Sequence, residues 1–255
     1  MIEAKGINKR YGTSVVVDHV SLVLPARGIT AIIGPNGAGK STLLGMISRL
    51  LPMDAGTVSV DGLDVTRTPT DVLARRLAIL RQDNHIAARL TVRDLVAFGR
   101  YPHSKGRPSV EDSRHIEQAL GFLELSDLAD RFLDELSGGQ RQRAFVAMVL
   151  CQDTDYVLLD EPLNNLDLKH AVRMMQLLRR AARELGKTIV IVLHDINFAS
   201  TYADHIVVMR DGRVAHEGNP EAIIRAEVLS AIYQVPVRVE VIDGRRIGIY
   251  YDQEN

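Results

Sequence analysis

Gly34-Pro35-Asn36-Gly37-Ala38-Gly39-Lys40-Ser41 follows directly on the apolar run Gly28–Ile33. It fills the pattern G-x-x-x-x-G-K-[ST] at every fixed position. A strand candidate precedes it. A helix candidate follows, with Leu43, Leu44, Ile47, Leu50 and Leu51 on one face and Pro52 as its stop. Glycines let backbone N–H groups converge on phosphate oxygens where a side chain would hold them off, and the helix N-terminus adds partial positive charge. In such a loop Lys40 lies between the β- and γ-phosphates, the Ser41 hydroxyl ligates Mg²⁺, and Thr42 completes the nucleotide-contacting set. The loop alone does not choose among ATPase, GTPase and kinase. Asn8-Lys9-Arg10 begins like a guanine-reading Asn-Lys-x-Asp motif, but Tyr11 stands where the aspartate is needed.

Working outward, Val15–Leu24, residues 57–60, Tyr156–Leu159 and Thr188–Leu193 read as strands, and residues 85–150 as mainly helical. Residues 167–185 read as one long helix with Ala171, Met175, Leu178, Ala182 and Leu185 inward and Gly186 as its C-cap. Asp61-Gly62, Asp211-Gly212 and Asp243-Gly244 are turn signals, and Val237–Val241 and Ile247–Tyr251 are short strands near the end. Strands alternating with helices imply a largely parallel sheet covered on both faces, with an inserted helical subdomain over about 85–150. The whole of 1–255 reads as one domain, with a short extension over about 227–255.

With 46% hydrophobic residues the chain can build a packed core, and its formal net charge of −1 provides no basic field for nucleic acid. The pairs Arg75-Arg76, Arg179-Arg180 and Arg245-Arg246 read as solvated faces. Cys151 has no partner for an internal disulfide, which fits a reducing compartment, and reads as a buried inert thiol. No apolar stretch approaches the ~20 residues that span a bilayer, and no secretory signal is visible, so a membrane role must come through a partner protein. The histidines show no metal-ligand spacing.

Two further motifs carry chemistry. Tyr156-Val157-Leu158-Leu159-Asp160-Glu161-Pro162 is an apolar strand ending in two acids. Asp160 suits the metal-facing role at such a strand end, and Glu161 the general base for the attacking water. In Leu136-Ser137-Gly138-Gly139-Gln140, Ser137 is an N-cap for the helix through Arg143, Phe145 and Val149, and the glycines leave backbone N–H groups open. One chain thus holds two phosphate-binding helix starts and a single glycine-rich lysine loop. If both face one nucleotide, the second can come from another copy.

At this point the sequence resembles the ABC transporter ATPase family over essentially its whole length, with Leu136–Gln140 matching the family signature. The resemblance implies a P-loop NTPase core of class α/β with a mostly parallel sheet, an N-terminal antiparallel β subdomain and an inserted α-helical subdomain. It implies that Ser137, Gly138, Gly139 and Gln140 contact ATP bound to the opposite subunit, and that Tyr11 stacks on adenine. Gln82 becomes the Q-loop glutamine, sensing Mg²⁺ and the membrane partner. Asp167, in Asn164-Asn165-Leu166-Asp167, becomes the D-loop acid, although the asparagines depart from the commoner Ser-Ala form. His194 becomes the switch histidine on the γ-phosphate. The expected cofactors are ATP and Mg²⁺.

Three readings compete: an importer subunit, an export or lipid-handling ATPase, and a soluble ABC protein of translation or DNA repair. A single cassette without a heptad array weakens the third. Thr91–His103, Leu163–Asp167 and Asp195–Ala199 look most like the ATPases of iron–siderophore and vitamin B12 importers. That resemblance implies a second copy of this chain, polytopic permease subunits, an indirect substrate-binding protein, no nucleic acid, and a peripheral place on the cytoplasmic face of the inner membrane.

Overall fold

Ile2–Tyr11 (β1) and Ser14–Leu24 (β2) pair antiparallel, from Ile2 opposite Leu24 to Tyr11 opposite Ser14. Ile2, Ala4 and Ile7 on β1 and Val17, Val20, Leu22 and Leu24 on β2 are buried, one face of a two-sided sheet. β1 was not expected as a strand. Lys5, Asn8, Lys9 and Arg10 blur its alternation, and register shifts between Ala4 and Ile7 and between Ile7 and Lys9 break the period of two. Gly28–Ile33 (β3) leads into the phosphate loop and Lys40–Ile47 (α1). This helix ends earlier than expected. Arg49 turns left-handed at φ 61°, the Leu51 N–H donates to the Gly45 carbonyl at 3.0 Å, and Leu51 folds back on Gly45, a C-cap closed by a hydrophobic contact. Ala55–Val60 (β4) then pairs with β1 and, through the Asp61-Gly62 turn, with Leu63–Asp64 (β5), giving the order β2-β1-β4-β5.

The computed structural model describes residues 1–84, 86 and 88–251. The chain divides into two compact units, Met1–Thr68 with Thr188–Asn255, and Pro69–Lys187. Positions 85, 87 and 252–255, inside the expected helical subdomain and C-terminal extension, lie outside the described residues.

The second unit holds Thr70–Ala74 (α2), Leu77–Leu80 (β6), Val92–Phe98 (α3), Tyr101–Ser104 (α4), Val110–Phe122 (α5), Gly138–Cys151 (α6), Tyr156–Asp160 (β7) and Leu168–Glu184 (α7). β6 and β7 are parallel. Capping boxes start α3 (Thr91 with Asp94) and α5 (Ser109 with Asp112). In α7 Ala171, Met174, Met175, Leu178, Ala181 and Ala182 are buried. Leu185, expected inward, follows the last helical residue and is 47% exposed, because the chain leaves the helical path before Gly186 at φ 63°.

The stretch Gly99–His103 is more than a turn. Arg100 is buried, donates from Nε to Asp112 Oδ1 at 2.8 Å, and donates from Nη1 to the Cys151 carbonyl at 3.0 Å. A His103 ring nitrogen meets the Gln152 carbonyl at 3.0 Å. Two side chains thereby satisfy carbonyls at the C-terminus of α6, which no helical N–H can reach. Bonds from Ser109 and from Arg100 hold the Asp112 carboxyl at about 2. Because the folded value lies below the ordinary one, the pair stabilises above about pH 4 and is lost as pH falls toward 2. Arg100→Ala strands a buried carboxylate and is expected to destabilise the chain by about 3–5 kcal/mol in urea denaturation, whereas Arg100→Met with Asp112→Leu recovers most of that. Next to this lock Cys151 is buried and desolvation pushes its thiol up to about 12, an inert thiol as expected.

The chain returns to the first unit with Thr188–Val192 (β8), Ile196–Tyr202 (α8), His205–Arg210 (β9), Arg213–Gly218 (β10), Pro220–Ile223 (α9), Ala226–Tyr233 (α10), Arg238–Ile242 (β11) and Arg245–Ile249 (β12). β3 is parallel to β8 on one side and β9 on the other, and β10 pairs antiparallel with β9. β3 and β8 are buried almost throughout, the mark of a strand covered on both faces. The last strands are offset by a residue or two from expectation. Asp243 (φ 49°) and Gly244 (φ 74°) form a two-residue primed turn that sets Ile242 opposite Arg245.

Candidate functional site

In the first unit, β3 and β8 leave their sheet at the same level. Ile32 is opposite Val192, and the Leu193 N–H donates to the Ile32 carbonyl at 3.1 Å. Continued two residues, that register sets Gly34, the first loop residue, beside His194, which is exposed. The loop itself depends on glycine. Gly34 has φ 142° and Gly39 has φ 93°, conformations that a side chain rarely adopts. A Cβ on Gly39 would lie 2.5 Å from the Val16 carbonyl of β2, so the loop presses on the hairpin whose tip carries Tyr11. Tyr11 is 50% exposed, with the Lys9 ammonium 5.6 Å from its ring centroid, an open aromatic face at the loop's flank. Gly39 also occupies the N-cap of α1 without a side-chain cap, and no acid lies in the first turn. Lys40 is 5% exposed and its Nζ donates to the carbonyls of Gly34 and Pro35, both at 2.9 Å. These two bonds hold the ammonium inside the loop's arc.

The second unit repeats the arrangement with different chemistry. Leu80 of β6 is opposite Leu159 of β7. Two residues further along each parallel strand stand Gln82 and Glu161, with Asp160 closing β7. Gln82 emerges at the same level as the two acids because β6 exists, and that strand was not anticipated. Glu161 has a left-handed backbone, φ 50°, an uncommon and strained state for a side chain of its size. Its carboxylate accepts from Asn164 Nδ2 at 2.5 Å, and its carbonyl accepts from the Asn164 N–H at 3.2 Å. Asn164 is a residue the sequence reading undervalued. The signal was available as an amide three residues after the acid, the spacing of a side chain that folds back across a turn.

The signature segment supplies the third feature. Ser137 caps α6 through a full capping box: the Gln140 N–H donates to Ser137 Oγ at 3.3 Å, and the Ser137 N–H donates to Gln140 Oε1 at 3.0 Å. The two glycines do different work, which their identity in sequence hides. A Cβ on Gly138 would meet nothing within 4 Å, whereas one on Gly139 would collide with the His170 ring. Gly138 leaves the helix start uncovered, and Gly139 admits a packing partner. His170 is itself held by Asp167, whose carboxylate accepts its N–H at 2.8 Å and lies 2.6 Å from its Nδ1. These bonds from His170 lower the Asp167 pKa. Asp167 thus N-caps α7 and orients the ring that backs Gly139, joining the D-loop segment to the signature within one unit.

The donors proposed for Mg²⁺ are the Ser41 hydroxyl, the Asp160 carboxylate and the Gln82 amide oxygen. All are hard oxygens, and among the described residues no group of His, Cys, Asp and Glu could hold a metal unaided. Taken each in its own unit, such oxygens suit a cation that takes few protein ligands and completes its shell with phosphate oxygens and water. Among the described residues no helix is long and apolar enough to cross a membrane.

Known proteins resemble this chain over most of its length. The ABC transporter family model matches residues 17–164. The chain is 52% identical to the petrobactin import ATP-binding protein YclP of Bacillus subtilis, over 98% of this chain and all of that protein. It is 42% identical to the ferric enterobactin transport ATP-binding protein FepC of Escherichia coli, over 93% of this chain and 88% of that one. Among solved structures, the dimeric post-hydrolysis state of the ATP-binding cassette MJ0796 with ADP and Pi superimposes with a TM-score of 0.76 at 30% identity, covering 86% of this chain and 99% of that one. With phosphate loop, acidic strand end and capped signature helix all in place, the chain belongs to the ABC transporter family and is an ATP-hydrolysing subunit of it.

Proposed function

We propose that two copies of this chain close head to tail over two ATP molecules and drive import of a ferric siderophore through polytopic permease subunits fed by a substrate-binding protein. The observation that carries the shared site is the open Gly138 beside the filled Gly139, a helix start shaped to receive an anion from outside its own segment. In this reading Tyr11, the loop Gly34–Ser41 and Thr42 hold ATP of their own chain, while Ser137–Gln140 reach the γ-phosphate held by the other copy, across an isologous interface that Asp167 helps to form. Glu161 takes the proton of the attacking water, Lys40 stabilises charge developing on the phosphoryl oxygens, and His194 steadies the γ-phosphate. Mg²⁺, held by Ser41, Asp160 and Gln82, would supply further charge neutralisation. Loss of the γ-phosphate removes the contacts that favour the closed pair, a ligand-driven population shift. All of 1–255 serves as one ATPase domain, with a helical subdomain over about 85–150 that meets the permease near Gln82, at the cytoplasmic face of the inner membrane.

The cargo reading rests on the names of relatives such as YclP and FepC, which span nearly the whole chain. The deciding experiment is co-purification and reconstitution in liposomes with a candidate siderophore permease and its binding protein. Ferric petrobactin is expected to stimulate ATP hydrolysis and to accumulate inside the vesicles. Equal stimulation by unrelated cargo, or failure to co-purify with the permease, would overturn it.

A further inference from the structure

The C-terminal hairpin β11–β12 reaches the site through α8, which begins two residues after His194. At seven residues α8 is too short to hold itself, and Asp195 caps it by accepting from the Asn197 and Phe198 N–H groups at 2.7 and 3.1 Å. Its outer face, Asn197, Ser200 and Thr201 at spacings of three and four, is bonded throughout to the β11–β12 hairpin. Asn197 Nδ2 donates to the Gly248 carbonyl at 3.2 Å, and the Gly248 N–H donates back to Asn197 Oδ1 at 2.8 Å. Ser200 Oγ donates to the Arg246 carbonyl at 2.6 Å, and Arg245 Nη1 donates to the Thr201 carbonyl at 2.8 Å. A two-stranded hairpin is marginal alone, so hairpin and helix order one another.

Across the register from His194 stands the first residue of the phosphate loop. Gly34 abuts the Met209 carbonyl of β9 so closely that a Cβ could not fit. Gly34 is thereby set against β9, and its neighbour His194 is set between β8 and the hairpin-bound α8.

We propose that the C-terminal hairpin is a brace which fixes the switch histidine relative to the phosphate loop, with Asn197 as a positioning residue for the γ-phosphate step. This rests on the reading of His194 given above and extends it to a region with no motif of its own. ADP makes no γ-phosphate contact, so its binding does not depend on the brace.

The test is ATPase kinetics and ADP binding on the full chain. Asn197→Ala deletes the reciprocal pair and is expected to lower kcat by about ten- to a hundredfold, as a misplaced catalytic contact does. The affinity for ADP stays within about twofold, which separates positioning from general damage. Asn197→Asp keeps the oxygen that accepts from Gly248 and loses the donor, so its kcat falls between the two. In a His194→Ala background, Asn197→Ala has no further effect on single-turnover rates, since it acts through the histidine. An unchanged kcat in Asn197→Ala, or kcat and ADP affinity falling together, overturns the brace. If His194→Ala itself hydrolyses ATP normally, the reading of the histidine fails and the brace with it. If His194→Ala is impaired while Asn197→Ala is not, the brace alone fails.

Discussion

Glu161→Gln is expected to lower steady-state ATP hydrolysis by about two to four orders of magnitude, the usual contribution of a positioned general base. The amide is nearly the same size as the carboxylate, so the fold and the nucleotide site stay intact while the proton acceptor is lost. Unable to complete hydrolysis, the variant is expected to elute as an ATP-dependent dimer in size-exclusion chromatography, and ADP is expected not to support that dimer. The structure adds a condition. Glu161 occupies a left-handed backbone state and its carboxylate is held by Asn164 at 2.5 Å, so the acid is aimed as well as present. Asn164→Ala frees the carboxylate and is expected to reduce kcat by about tenfold, leaving far more activity than Glu161→Gln. Wild-type turnover by Glu161→Gln would remove the base assignment. Equal losses in both variants would mean that Asn164 does more than aim the acid.

The contrast between those two residues shows where the sequence was legible. Glu161 stands at the end of an apolar strand with an acid before it, a pattern whose chemistry can be named from residue types alone. Asn164 belongs to a turn in which an amide can point in several directions, and only the left-handed backbone at Glu161 brings the two together. The same division runs through the fold. β3, β7 and β8 are covered on both faces, and their unbroken apolar runs announced them. β1 carries bulges and charged residues, and β6 has four residues, too few for a period to register. Missing β6 hid the reason Gln82 stands level with Glu161. At the signature, two adjacent glycines looked equivalent, since the space beside each Cα depends on α7, a segment about thirty residues further along the chain.

A mixture of two inactive variants is expected to regain a nucleotide-bound dimer that neither forms alone. Gly138→Asp places a carboxylate where the open helix start would receive the γ-phosphate, and like charges at that distance repel strongly once water is excluded. Its own phosphate loop is untouched, so it still binds ATP as a monomer but forms no closed dimer. Lys40→Ala has the opposite defect, an intact signature and a loop without its ammonium. If each active centre combines the loop of one copy with the signature of the other, a mixed dimer contains one centre with both parts sound and one with neither. Mixed in equal amounts with a non-hydrolysable ATP analogue, the pair is expected to yield dimers that retain about one nucleotide each, as a twofold interface requires. Either variant alone yields no nucleotide-retaining dimer. Gly139→Ala is the control for the neighbouring position. Its Cβ collides with the His170 ring inside its own chain, so it is expected to lower the thermal midpoint, which Gly138→Asp leaves unchanged because nothing lies within 4 Å of that position. A closed centre assembled within one chain predicts no complementation at all, since each variant would carry its own defect into every site it forms.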